Sequence, residues 1–354
     1  MTELRKQDSR VRAYLEFVVA LFYFIAARVL ARRAASAFAS ASWQPLVEQA
    51  MLAFLLLAGY AGMGFSLARQ PHPVRTQGLP FRSGWHGEIG LGLATGWGVA
   101  AVCAIAMAIF GGILIRFHPE PAAWGWLAAD IAYFLLLTLV EEVAFRGYGF
   151  QRLSRSLGSG VAVIGYALLY ALLERLQPGA NTASIFVAIA FSLALSAAYL
   201  RTRALWLSWG LNFGWKASRA LLFGLAISGN GSHSSVVEGN PMGSFWLTGG
   251  GFGLDGSWFA FLVLLAAIPL VYRITSELNY QYNAPELIPG GIPVDLDAAA
   301  RKQHDAAMGP AAAPALPGLV QIAPLAAPVS PYPDPYPGKS PAPEQSTGTD
   351  NDLP

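Results

Sequence analysis

The stretch LLLTLVEEVAFRG, from Leu135 to Gly147, places two adjacent carboxylates directly after an almost continuous apolar run. A charged side chain within a membrane-spanning helix costs at least about 2.5–3.5 kcal/mol, so such residues usually face the bundle interior and mark function. Glu142 and Arg146 are four residues apart and can pair on one helical face. Glu141 points about 100° away from Glu142 and needs a different partner. The stretch therefore predicts a transmembrane helix that carries a polar site.

The composition of the whole chain agrees with membrane residence. Of its 354 residues, 54% are hydrophobic and only 12% are Asp, Glu, Lys or Arg, against roughly 25% in typical soluble domains. So little charge cannot cover a water-exposed surface, and lipid is the expected solvent for much of the chain. The net charge of +2 gives no sign of nucleic acid, and we expect no nucleic-acid partner. The single cysteine, Cys103, excludes an intramolecular disulfide and a cysteine-based zinc site.

Apolar windows long enough to cross a hydrocarbon core about 30 Å thick occur eight times along the chain. They lie near residues 13–31, 47–68, 88–115, 122–145, 160–177, 183–200, 204–227 and 257–275. The predicted fold class is all-α, a polytopic transmembrane helical bundle of about eight spans. Arginines concentrate in the loops that lie inside if the N terminus is cytoplasmic, which places both termini in the cytoplasm. Arg32 and Arg33, in the first outside loop, are the exception.

Composition also divides the chain into regions. Residues 1–84 are expected to hold an N-terminal arm, two transmembrane helices and a cytoplasmic linker, and residues 85–275 the core of the bundle. Fifteen of the twenty-four prolines fall between Pro285 and Pro354. Because a segment of this composition cannot bury a core, residues 283–354 are predicted to be a disordered cytoplasmic tail. Its PYPDPYPG segment, residues 331–338, favours polyproline II and could bind a partner's aromatic groove, although a merely solvated tail is the plainer interpretation.

Two later spans also carry polar or charged residues. The fifth, GYALLYALLERLQPG, contains Glu174 near its end. If the fourth helix continues past its apolar part and turns at residues 157–160, Glu141 and Glu174 lie at the same depth, about 24 Å from the turn. The seventh, LWLSWGLNFGWKASR, puts Asn212 and Lys216 four residues apart on one helical face.

Two interpretations of these residues follow from periodicity alone. In the structural one, Glu142 pairs with Arg146 and Glu174 pairs with Lys216, and the buried ion pairs fix the register of the helices. In the functional one, Glu141 is a general base for an attacking water, and polar groups of the seventh span stabilise the oxyanion.

The same segments resemble a known family. EEVAFRG resembles the EExxxR motif of the CPBP intramembrane endopeptidases, which include the CAAX proteases and the bacteriocin-processing (Abi) enzymes. YALLERL resembles the second family motif, FxxxH, AAYLRTRALWLSWGLNFGWK resembles the third, which ends in HxxxN, and SFWLTGGGFGLDGS resembles the C-terminal part of many bacterial members. The resemblance covers roughly residues 85–275. It implies a CAAX-protease-like fold in the cytoplasmic membrane of a bacterium, with water attacking a peptide bond in or at the membrane.

The chain departs from the family pattern at three positions. Glu174 stands where the second motif has His, and Asn212 and Lys216 stand where the third has His and Asn. By the resemblance, Glu141 is the residue that activates water, and it is retained. The five histidines of the chain lie outside the motif positions. A family-type divalent metal is therefore not expected, and no cofactor is predicted.

The substitutions leave two hypotheses for the activity. In the first, Lys216 neutralises Glu174, and the chain is a pseudoprotease that still binds peptides or helical segments as a membrane chaperone or scaffold. In the second, Glu141 remains the base and Lys216 or Asn212 stabilises the oxyanion. The expected partners are membrane lipid and a peptide or membrane protein, as substrate or client. A proton or ion carrier would show internal symmetry, and the sequence has no paired half-sequences.

Overall fold

The fold is known from a computed structural model that describes residues 2–278 except 71, 111, 119, 232, 233 and 235. The predicted disordered tail and its PYPDPYPG segment lie outside these residues. The helices are α1 (Thr2–Phe38), α2 (Gln44–Ser66), α3 (Pro73–Thr76), α4 (Trp85–Ile109), α5 (Pro121–Arg146), α6 (Tyr148–Leu157), α7 (Ser159–Arg175), α8 (Thr182–Thr202), α9 (Leu205–Ala217), α10 (Phe245–Thr248) and α11 (Trp258–Ile274). The predicted all-α transmembrane class is confirmed.

Within the described part of the chain, five helical segments are long and apolar enough to cross a membrane. They are Ser9–Phe38, Gln44–Ser66, Trp85–Ile109, Pro121–Leu157 and Thr182–Thr202. The other three predicted windows fall on α7, α9 and α11, which have 17, 13 and 17 residues. The protein is thus a membrane protein, whereas the count of eight spans and the cytoplasmic position of the termini stay predictions.

The turn expected at residues 157–160 is confirmed. Helix α6 follows α5 after a bend at Gly147, whose ψ of −136° is not helical, and ends at Leu157. Gly158 then takes a φ of +96°, which only glycine adopts without strain, and α7 begins at Ser159. The chain therefore reverses close to the midpoint between Glu141 and Glu174.

Helices α4 and α9 pack with their backbones in close contact. A Cβ atom at Gly92 would lie 2.2 Å from the carbonyl oxygen of Leu207, and one at Gly96 would lie 2.2 Å from that of Leu211. On the facing helix, a Cβ atom at Gly214 would lie 2.4 Å from the carbonyl oxygen of Leu93. Small residues spaced four apart allow this approach in membranes, where dispersion contacts drive helix association. The contact fixes the position of α9, which carries Asn212 and Lys216.

Helix α1 is held against α6 by a buried carboxylate. Glu16 lies 3.1 Å from Arg12 Nε and 3.3 Å from Arg152 Nε, and it accepts a hydrogen bond from the Tyr148 hydroxyl at 3.3 Å. Because these contacts surround Glu16 with donors, its charge is compensated inside the bundle. They place α1 beside the helices that carry the polar site.

The segment between α9 and α11 is less regular. A π-helical turn, Ser218–Leu222, follows α9 directly. Strand β2 (Val237–Pro241) pairs antiparallel with β1 (Ile113–Phe117), so the segment is anchored to the connection between α4 and α5. Two 3-10 turns, Gly250–Phe252 and Leu254–Gly256, then lead into α11.

The helix contact gives a matched pair of glycine substitutions. Gly96→Ala should lower the free energy of unfolding by about 1–3 kcal/mol, the usual cost of overpacking, because its methyl group meets the backbone of α9. Gly98→Ala should not destabilise the protein, since a Cβ atom there meets nothing within 4 Å. Thermal unfolding of both variants in the same detergent measures the difference. Equal melting temperatures would contradict the close approach of α4 and α9.

Candidate functional site

The candidate site lies in a cavity of about 620 Å³. Its walls come from α1, α2, α5 and α7, and they are mostly apolar, with Phe24, Leu52, Phe134, Leu137, Val140 and Leu173 among the lining side chains. Glu141, Glu174 and Lys216 line the same cavity, together with Tyr170 and Ser228. The cavity therefore combines apolar walls with a small cluster of charged and polar groups.

Glu141 is held by two donors from α9. Lys216 Nζ contacts its Oε1 atom, and Asn212 Nδ2 donates to its Oε2 atom at 3.0 Å. The Glu141 side chain is 17% exposed and the Lys216 side chain 8%, so this ion pair forms the cavity wall rather than the deep core. Asn212 and Lys216 lie one turn apart, as their spacing predicted, and both reach α5.

The adjacent carboxylate, Glu142, is fully buried. It accepts hydrogen bonds from Asn212 Nδ2 at 2.9 Å and from Arg146 Nη1 at 3.1 Å. Arg146 Nη2 also donates to the carbonyl and hydroxyl oxygens of Ser192, each at 3.3 Å. The predicted pair of Glu142 and Arg146 is present, and it joins α5 to both α8 and α9.

The predicted pair of Glu174 and Lys216 is wrong. Lys216 forms its ion pair with Glu141 instead, and Glu174 accepts a hydrogen bond from the Ser228 hydroxyl. The glycine contact with α4 sets the rotation of α9, and in this rotation Lys216 and Asn212 both reach Glu141 on α5. The six predicted residues nevertheless form one neighbourhood, because Glu174 lines the same cavity as Glu141 and Lys216.

A second polar network was missed by the sequence reasoning. Ser228 bridges Glu174 to Asp255, since its backbone N–H donates to Asp255 Oδ2 at 2.9 Å. Asp255 Oδ1 in turn accepts from Arg219 Nη1 at 2.8 Å, and the buried Arg219 guanidinium lies 4.0 Å from the centroid of the Trp215 ring. Arg219 could have been found as a charge inside the predicted span 204–227, and Asp255 as a charge just before the span 257–275. Ser228 has no such signal, because its role depends on the path of the loop, where it takes a φ of +48°.

The residues at the motif positions do not fit a divalent metal. The Lys216 ammonium contacts the Glu141 carboxylate, and a second cation there would be repelled. Asn212 directs its amide N–H groups, which cannot ligate a metal, at both Glu141 and Glu142. Across the described residues, no three His, Cys, Asp or Glu side chains are grouped to hold a metal ion.

Comparison with protein families supports the resemblance drawn from the motifs. Residues 122–218 match the family described as Rce1-like, type II CAAX prenyl endopeptidase Rce1-like. This part of the chain is thus similar to the Rce1-like family, which is consistent with the CPBP resemblance, and the six predicted site residues lie within it. Comparisons with curated proteins and with solved structures gave no match. The match supports an intramembrane CAAX-protease-like function for this region.

The ion pair at the cavity wall predicts that removing Lys216 lowers the stability of the protein and that also neutralising Glu141 restores it. Lys216→Met leaves the Glu141 carboxylate without its cation and should lower the free energy of unfolding by about 3 kcal/mol. Adding Glu141→Gln should recover most of that loss, because the remaining groups are neutral. Arg175→Met, at an exposed position one residue beyond Glu174, should change stability by no more than about 0.5 kcal/mol. A double variant no more stable than Lys216→Met would contradict this pairing.

Proposed function

We propose that this protein is a non-catalytic relative of the intramembrane endopeptidases and that it binds a peptide or helical segment of a client in its cavity. The observation that supports the proposal is the occupation of both Glu141 carboxylate oxygens, one by Lys216 and the other by Asn212. A general base must lie within hydrogen-bonding distance of the water that it activates. At Glu141, a water can use only the lone pairs that these two donors leave free.

The loss of the motif histidines removes a second requirement for hydrolysis. The leaving amine of a peptide bond must receive a proton, and histidine is the side chain that most often supplies one. Asn212 has no acidic proton in the physiological range, and Lys216 is engaged by Glu141. The substituted positions therefore favour a stable binding site over a proton-transfer site.

The cavity itself is suited to a peptide. Its volume of about 620 Å³ lies within the roughly 300–1,000 Å³ of typical ligand pockets. Apolar side chains of a client can contact Phe134, Leu137 and Leu173, while its backbone amides can bind Glu141 and Lys216. An acyl chain alone would leave these two charged groups facing hydrocarbon, which is unfavourable.

Hydrolysis by a rearranged site is the second candidate function. It is favoured by the position of two carboxylates, Glu141 and Glu174, on the same cavity, with the Lys216 ammonium beside them. If a bound peptide displaced Lys216 from Glu141, the carboxylate could activate water and the ammonium could stabilise the oxyanion. This mechanism requires a rearrangement of α9 side chains on binding.

A cleavage assay separates the two candidates. The purified full-length protein in nanodiscs, incubated with a peptide library and analysed by mass spectrometry, should give the same products as its Glu141→Ala variant. General base catalysis contributes about 10²–10⁴-fold to rates. If the parent cleaves peptides with Glu141 as the base, the Glu141→Ala variant should therefore lose the cleavage products. Cleavage by the parent that Glu141→Ala abolishes would refute the non-catalytic proposal.

Restoring the family motifs tests the cause of the lost chemistry. The triple variant Glu174→His, Asn212→His and Lys216→Asn should gain cleavage of at least about 10²-fold over the parent, because it frees Glu141 and returns two imidazoles. Adding Glu141→Ala to the triple variant is the control and should remove the gain. Equal cleavage by parent and triple variant would show that Lys216 does not prevent the reaction.

A further inference from the structure

Two arginines of α1 line the cavity, and the proposed function assigns them no role. Arg28 and Arg32 line it together with Glu141 and Lys216, although α1 lies outside the region that matches the family. They are four residues apart, so their Cα atoms differ by about 6 Å along the helix and their side chains share one face. Arg33, the next residue, does not line the cavity.

The charges of Arg28 and Arg32 are not neutralised by the part of the protein that the structure describes. Both side chains are exposed, and neither forms an ion pair with a described residue. The two carboxylates of the cavity are already bound, Glu141 by α9 and Glu174 by Ser228. Two guanidinium groups are therefore available to an anion that enters from outside.

Placing the charge of Arg28 within an apolar helix costs free energy. This residue falls inside the predicted span 13–31, where a charge persists only if it faces a polar cavity or a partner. Arg32 follows this span on the side predicted to be outside, where basic residues are less common than on the cytoplasmic side. The cavity gives both residues a polar surface to line, which accounts for their place on this helix.

We propose that Arg28 and Arg32 form an anion subsite that binds a carboxylate of the peptide held in the cavity. Guanidinium groups bind carboxylates through paired N–H donors, which gives both affinity and orientation. A peptide with an acidic end also carries backbone amides for Glu141 and Lys216, so it matches both sets of polar groups that line the cavity. A lipid phosphate would match only the arginines. The subsite thus selects acidic peptides, and it rests on the proposed peptide-binding function.

The test uses full-length protein in phosphatidylcholine nanodiscs and rhodamine-labelled Leu- and Ala-rich peptides of equal length. One peptide carries two Glu near its end and an amidated C terminus, the second has Gln in their place, and the third has Gln with a free C terminus. Fluorescence anisotropy should show about tenfold tighter binding of at least one carboxylate peptide than of the neutral peptide. Comparing the first and third peptides identifies which carboxylate is bound.

Variants assign this preference to the two arginines. The double variant Arg28→Gln and Arg32→Gln should bind acidic and neutral peptides equally, while Arg33→Gln should retain the full preference. Arg28→Lys with Arg32→Lys should retain part of it, because the charge remains and the paired donors are lost. Matching melting temperatures of the variants would show that folding is unaffected.

Three results would overturn the proposal, and they differ in what else they reject. Equal binding of acidic and neutral peptides by the parent rejects the subsite but leaves peptide binding intact. No binding of any peptide rejects the proposed function together with the subsite. If the double variant keeps its peptide preference but loses phosphatidylglycerol retained from mixed nanodiscs, the arginines bind a lipid phosphate instead.

Discussion

The contact between the Lys216 ammonium and the Glu141 carboxylate is the interaction on which the site depends. In a bundle surrounded by hydrocarbon, a carboxylate needs a compensating charge or donor, because its desolvation is costly. Lys216 supplies the charge and Asn212 a hydrogen bond, so the glutamate of the first motif persists without the family's histidines. Lys216 and Asn212 each use one of the two oxygen atoms that catalysis would require. Stability and catalysis therefore make opposing demands on one side chain.

This contact depends in turn on how closely the helices pack. Gly96 and Gly214 let α4 and α9 approach until their backbones touch, and this approach sets the rotation of α9. Arg146 fixes the other side of the site by binding both Glu142 and Ser192. The two constraints leave Lys216 beside Glu141, with Glu174 held separately by the loop that follows α9.

The first helix adds a wall that the matched family region does not contain. Its buried Glu16 is compensated by Arg152 and Tyr148 of α6, which holds α1 beside the cavity. Farther along the same helix, Arg28 and Arg32 line the cavity that Glu141 also lines. A cavity with carboxylates held internally and guanidinium groups left available is suited to an anionic ligand. The departures from the family motifs and the basic wall are the two features on which the proposed binding function rests.

The sequence by itself determined the all-α membrane class, the turn near Gly158, the pair of Glu142 with Arg146 and the resemblance to the family, because periodicity, hydropathy and motif spacing act locally along the chain. It did not determine the partner of Lys216. Spacing places Asn212 and Lys216 on one face of α9 but not the rotation of that face, which the glycine contact with α4 decides. Nor could it place Ser228 beside Glu174, or Arg28 on the wall of the cavity that Glu141 lines. These positions depend on contacts between segments far apart in the chain, and only tertiary packing brings such segments together.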